Sequence, residues 1–235
     1  MASIIIPPIK TPIAHPRAQP LVLPPQLDPS CVLCLLPLRD NKWFDYSGHG
    51  NHGTFYGAGF TAKGRYGPTV AFDGKEDYVN VGKDASLDIT AAITIEAWVK
   101  AKAGHSHMGI WYDQYTDYRS RLLVMATNRV TVQYSLSTGD LTVDTAVGII
   151  SDDIWAHIVA TFDGTYGRVY IDGELKATTE KVGTISLSTN NRLIGRGTAL
   201  AVAYWFDGLI DEFRLYNQAL TPLAIKALYE LGRVK

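Results

Sequence analysis

The chain has 235 residues, 46% of them hydrophobic, and its 22 basic and 23 acidic side chains leave a formal net charge of −1. That length suits one large domain, which can bury about 70% of its unfolded surface. The even charge balance supplies no long-range field for nucleic acid or an anionic membrane, and no apolar run nears the roughly 18 residues of a membrane span, so neither nucleic-acid binding nor membrane insertion is expected.

Nine of the eleven prolines (Pro7, Pro8, Pro12, Pro16, Pro20, Pro24, Pro25, Pro29 and Pro37) fall within residues 1–37. Proline fixes φ and removes an amide donor, so residues 1–34 are predicted to form an extended, polyproline-like arm. Ile4, Ile5, Ile6, Leu21 and Leu23 are its candidate assembly contacts. Such an arm is expected either to wrap its own domain or to lie on another copy or a scaffold protein. It does not read as a signal peptide, because Pro7, Pro8 and Lys10 interrupt the one apolar start. Cys31 and Cys34 stand at the junction with the domain that follows, residues 35–235. With no second Cys-x-x-Cys and no finger-spaced histidines, they read as buried free thiols beside an entering strand through Val32, Leu33, Leu35 and Leu36.

Past the arm, the glycines of Gly48–Gly53 suit successive tight turns, which is a simpler role for the segment than metal binding by His49 and His52. Strands are predicted at Val70–Asp73 and Tyr78–Val81. In Ala92–Lys100, Ile93, Ile95, Ala97 and Val99 alternate with Thr94, Glu96, Trp98 and Lys100, the pattern of a strand with one face in a core. Gly104–Arg121 gathers Trp111, Tyr112, Tyr115 and Tyr118 among charged and amide side chains, a mixture that suits sugars or protein partners, and equally a loop and strand covering a sheet edge. Further strands are predicted at Arg121–Ala126, Val130–Leu136, Ile158–Phe162, Arg168–Ile171, Leu175–Val182, Arg192–Gly195 and Leu209–Tyr216. Asp163-Gly164 and Asp172-Gly173 mark hairpin turns among them. Tyr204 and Trp205 form a second aromatic pair. A helix is predicted over Thr221–Leu231, capped by Thr221, started by Pro222 and closed by Gly232. Many short strands with turns between them, and one terminal helix, give an all-β, two-sheet antiparallel sandwich.

Several segments together, in order, resemble the laminin-G-like domains of the concanavalin-A-like jelly-roll superfamily. They are Ser47–Thr54, Ala71–Val79 with its Phe72-Asp73-Gly74, Ile93–Val99, Trp155–Gly164 with His157, Tyr170–Gly173, and Phe206–Tyr216 with its Asp211-Glu212. The resemblance spans roughly residues 35–230 and implies a jelly-roll sandwich. It also implies a packing role for His157, a terminal helix across the sandwich, and a calcium site at the rim in which Asp73 and Asp211 would serve. Asp45 completes the candidate calcium set, with Asp77 and Glu212 in reserve, since calcium takes six to eight hard oxygens. By strict alternation Asp211 shares a face with Leu209, Phe213 and Leu215, where a carboxylate needs a cation such as Arg168, Arg192 or Arg196, or a metal.

No catalytic pattern stands out. The superfamily's glycosidases set several carboxylates along one strand, and no strand here carries a Glu-x-Asp-x-x-Glu run. Glu96 is isolated, and Asp211 and Glu212, being adjacent, are predicted to point to opposite faces. There is no Gly-x-Ser-x-Gly elbow, phosphate loop or His-Glu-x-x-His. The expectation is a non-enzymatic structural or surface component of a multi-subunit assembly, such as a virion decoration protein, anchored by its arm with the sandwich exposed for adhesion. The alternative is a calcium-dependent carbohydrate-binding module. Either places the protein on a virion or extracellular surface.

Overall fold

A computed structural model describes residues 28–37, 42–65, 67–102, 107–113, 120–199 and 202–233. The arm contacts Ile4, Ile5, Ile6, Leu21 and Leu23, with Tyr115 and Tyr118, lie outside the described residues. The chain begins with strands β1 (Cys31–Pro37), β2 (Trp43–Asp45), β3 (Thr54–Tyr56), β4 (Gly59–Thr61), β5 (Thr69–Asp73) and β6 (Tyr78–Gly82). After a 3-10 turn come β7 (Ile93–Ala101), β8 (Met108–Asp113), β9 (Ser120–Val124), β10 (Val130–Leu136) and β11 (Gly139–Asp144). The last third supplies β12 (Trp155–Phe162), β13 (Tyr166–Ile171), β14 (Glu174–Glu180), β15 (Arg192–Ile194), β16 (Arg196–Ala199), β17 (Val202–Trp205) and β18 (Asp207–Tyr216), then helix α1 (Pro222–Arg233).

The strands form two large antiparallel sheets, the layout of a jelly-roll sandwich. One runs β14-β13-β12-β7-β18-β1-β2, with β5 and β4 added beside β18, and the other runs β11-β10-β9-β8-β15-β6-β3. Ile93, Ile95, Ala97 and Val99 of β7 face Ile110, Trp111, Val130, Val132 and Tyr134 of the second sheet across one continuous core. β1 starts at Cys31, so the chain is already in the sheet before residue 35. The hairpin glycines behave as their positions require. Asp172 and Gly173 both take positive φ (53° and 76°) between β13 and β14, and Gly164 does so (90°) between β12 and β13.

The outer face of β7 departs from the half-exposed pattern. Thr94, Glu96 and Trp98 are as buried as the core-facing residues, because α1 lies across this side of the sheet. Beneath it Ile225, partly buried Ala224 and Leu228, Val159, Tyr170, Tyr216, Cys31 and Cys34 form a second apolar cluster. Both cysteines are free thiols there. Thr221 Oγ1 accepts from the Ala224 amide as expected of a cap. The helix nevertheless runs two residues past Leu231, with Gly232 inside it rather than closing it. A Cβ at Gly232 would stand 2.7 Å from the Trp98 ring, so the glycine permits a close approach of helix to sheet. Leu223 and Leu231 face solvent, and Ile225 is the residue seated in the cluster.

Candidate binding face

The carboxylate candidates do not converge. Asp45 Oδ1 accepts from the Cys34 and Ser47 amides, and its Oδ2 from Ser47 Oγ and the Asn51 amide, so it fastens the glycine-rich loop to β1. Positive φ at Gly48 and Gly50 makes the tight turns there. His52 Nδ1 takes the Asp45 amide and His49 Nδ1 meets Ser47 Oγ, so the two histidines have separate local partners. Asp73 accepts from the Lys75 amide in an exposed turn, and Asp77 accepts from the Asp73 amide. Across the register from Asp73 lies Asp207, ion-paired with Lys102 at 2.7 Å. Among the described residues no three His, Cys, Asp or Glu side chains are grouped for a metal ion. Asp45, Asp73 and Asp211 are thus not grouped with one another: Asp45 and Asp73 accept from nearby amides, and Asp211 Oδ1 accepts from the Glu212 amide.

Asp211 also faces the other way from the alternation reading. Glu212 has φ 47°, and the register with β7 shifts between Asp211 and Arg214, which is a β-bulge. The extra residue sends Ile210, Phe213 and Leu215 into the core and puts Asp211 and Glu212 together on the helix side, instead of on opposite faces. Burial, then the neighbouring Glu212 charge, pushes the Asp211 carboxyl up to about 7, against the Glu212 amide bond, Arg65 and Arg214. None of the cations expected for it is its partner. Arg168 pairs with Asp163, Arg192 with Asp88 and Asp113, and Arg196 lies over aromatic rings.

Glu96 is not isolated. Its Oε1 meets His157 Nε2 at 3.0 Å and Arg214 Nη1 at 2.8 Å, while Oε2 accepts from Tyr216 Oη at 3.0 Å. Burial alone would raise its pKa, but Arg214, His157 and Tyr216 hold it below the usual carboxylate range. Glu96 and His157 are fully buried, so this acid–imidazole pair is a structural element that no substrate reaches in this conformation. The sequence pattern showed none of these three partners, because they come from β12 and β18.

The predicted aromatic surface divides. Met108–Asp113 is an interior strand rather than a loop, lying between β9 and β15. Trp111 is in the core, stacked on Phe213 (ring centroids 5.5 Å apart) and donating Nε1–H to Ser120 Oγ. Tyr112 points outward but is 1% exposed, so neither ring is open to a ligand. Beside this strand the β16–β17 hairpin rests on the outer face of the second sheet. Its backbone at Arg196–Gly197 crosses Gly109, where a Cβ would collide, and Gly197 sits beside Leu123.

Tyr204 and Trp205 belong to this hairpin and complete an accessible surface. On the outer face of β3 and β6, Tyr56 pairs with Tyr78, and the rings stack at 4.6 Å and 2°. Trp205 follows at 6.3 Å from Tyr78, and its cross-strand neighbour Arg196 places its guanidinium 4.8 Å from the Trp205 ring centre and 5.5 Å from that of Tyr78. On the other side of β17, Tyr204 stacks on His107 at 4.9 Å. Two register pairs on from Tyr56–Tyr78, about 7 Å along the strands, Thr54 and Asn80 form part of an open cleft of about 280 Å³ with His52, Lys83 and Asp84. A run of flat rings thus leads into a polar cleft. Tyr78 was legible only as a strand residue and Tyr56 not at all, since nothing local signals the short edge strand that brings the two together.

The two sandwiched sheets, their antiparallel order and the covering helix define the class, a concanavalin-A-like jelly-roll sandwich. Residues 73–226 match the concanavalin A-like lectin/glucanases superfamily, and the chain belongs to it. Comparison with curated protein sequences finds no match. Among solved structures, the binding domain of Paraclostridial Mosquitocidal Protein 1 is similar at 16% identity and TM-score 0.68, over 85% of this chain and 52% of that one. The botulinum neurotoxin serotype G binding domain matches at 16% identity and TM-score 0.68, over 87% and 51%. The serotype D ligand binding domain in complex with N-acetylneuraminic acid matches at 15% and 0.68, over 86% and 51%. The chain spans about half the length of each. At these identities the likeness is one of fold.

Proposed function

We propose that the protein is a non-catalytic surface-recognition module that binds glycans on the Tyr56–Tyr78–Trp205 face and its adjoining cleft. One observation carries this reading: three accessible rings lie in series beside a polar cleft, so that sugar rings can stack while Thr54, Asn80 and Lys83 fix orientation. The neurotoxin domain solved with N-acetylneuraminic acid supports it by analogy of fold. So does the burial of the Glu96–His157 pair, which keeps the most obvious acid–base couple away from solvent. Among the described residues no helix is long and apolar enough to cross a membrane, and an extracellular setting fits glycan recognition. The test is Trp205→Ala on a glycan array. Lost binding with a melting temperature within about 2 °C of the original supports the assignment. Retained affinity removes this face from it.

The proline-rich composition of residues 1–34 favours a second role, compatible with the first: anchoring the sandwich in a larger assembly such as a virion surface, through a second copy or a scaffold protein. Light scattering on the full chain beside one lacking residues 1–27 tests it for self-assembly. Oligomers formed only by the full chain support the anchor; two monomers refute self-assembly.

A further inference from the structure

The most informative group on the binding face is the Arg196 guanidinium. Among the described residues it has no carboxylate partner; its contacts are the Trp205 and Tyr78 rings. Its Nε is buried without an acceptor. The neighbouring acids are committed elsewhere. Asp77 takes the Asp73 amide and would collide with any side chain at Gly57, Asp84 caps the Ser86 amide, and Asp207 is paired with Lys102. At the other end of the ring series Lys83 stands in the cleft, likewise without an ion pair among the described residues. A planar guanidinium fixed by stacking retains its fork of N–H donors for a planar anion and has lost little freedom still to be given up on binding.

Resting on the glycan-binding reading above, we infer that the face selects acidic saccharides. The carboxylate of a uronic or sialic acid docks on Arg196 while its own or the next ring stacks on Trp205, Tyr78 and Tyr56, and the chain continues toward Lys83. Carboxylate geometry fits the guanidinium fork with two parallel hydrogen bonds, whereas a sulfate ester can bridge the same fork but is the less basic and weaker acceptor. The site is therefore expected to rank carboxylated above sulfated above neutral glycans.

The experiment uses the full chain on an array of matched glycans: lactose, 3′-sulfolactose and 3′-sialyllactose, and oligogalacturonate beside its methyl ester. Affinities of the hits are then measured at low and high salt for the original protein, Arg196→Gln and Arg196→Lys. The expected result is that carboxylated members bind and weaken with salt. Arg196→Gln should lose about tenfold on them and change neutral ligands less than about twofold, with Arg196→Lys in between. Neutral glycans binding as tightly as their acidic partners overturns acidic selection and leaves glycan binding standing. No glycan bound at all overturns both. A melting temperature for each variant separates loss of the cation from loss of the hairpin it clamps. If Arg196→Gln unfolds the hairpin, salt-insensitive binding of acidic ligands by the original protein is by itself sufficient to refute the inference.

Discussion

Asp211 offers a sharp test of how the bulge and the covering helix shape this protein. Its carboxyl is 5% exposed and titrates near 7, against an ordinary value of 3.8. The unfolded chain therefore releases this proton near pH 4 while the folded chain holds it to about pH 7. Over that window the unfolded state binds fewer protons, so this group's contribution falls as pH rises and is level above about 7. A difference of about 3 units at 1.36 kcal/mol each sets a ceiling of about 4 kcal/mol. Asp211→Asn removes the charge and keeps an oxygen for the Glu212 amide, whose bond to Oδ1 is 2.8 Å. The new amide N–H groups need acceptors beneath the helix, so we expect a net gain of about 2 kcal/mol near pH 8 and none near pH 4. That corresponds to a rise in melting temperature of about 4–8 °C at the higher pH. Urea denaturation of both proteins across this range, followed by tryptophan fluorescence, reads the difference directly. Parallel stability curves would refute the reasoning. Repeating the series with a calcium chelator tests the rim-calcium expectation at the same position: a chelator that destabilises the original protein but not Asp211→Asn would show that Asp211 holds an ion.

Three further substitutions probe the same architecture. Glu96→Gln removes the buried carboxylate that Arg214 and His157 share, leaving Arg214 only Glu212 as counter-charge, and should cost about 3 kcal/mol by chemical denaturation; a loss below about 1 kcal/mol would mean that water enters beneath the helix. Gly232→Ala, which ordinarily helps a helix by about 1 kcal/mol, should instead destabilise by about 1–3 kcal/mol, because the new Cβ meets the Trp98 ring at 2.7–2.9 Å. A rise in melting temperature would show that the helix shifts freely. Trp111→Ala should cost about 3–5 kcal/mol, since the ring fills the core against Phe213, while glycan affinity of the folded protein stays unchanged. Loss of binding without loss of stability would return Trp111 to the recognition surface.

What the sequence made legible follows the range of the interactions. The β7 alternation and the Asp-Gly turns are set within a few residues, so the sandwich was readable from them, as was the capped helix. The bulge at Asp211–Glu212 was not, because one inserted residue inverts every facing beyond it and leaves the local pattern intact. Nor was the double burial of β7, which depends on a helix more than 120 residues later in the chain folding back over its outer face, where Tyr229 stacks on Trp98 at 5.7 Å. The aromatic candidates illustrate the same limit. Trp111 and Trp205 have similar neighbours in sequence; what separates core from surface is that one lies on an interior strand and the other on a hairpin added outside the sheet. That hairpin crosses the second sheet at Gly109 and brings Arg196 and Trp205 beside Tyr78, so a single hairpin creates the aromatic surface. Specificity in this protein is therefore expected to follow changes in the β16–β17 hairpin, while the sandwich beneath stays constant.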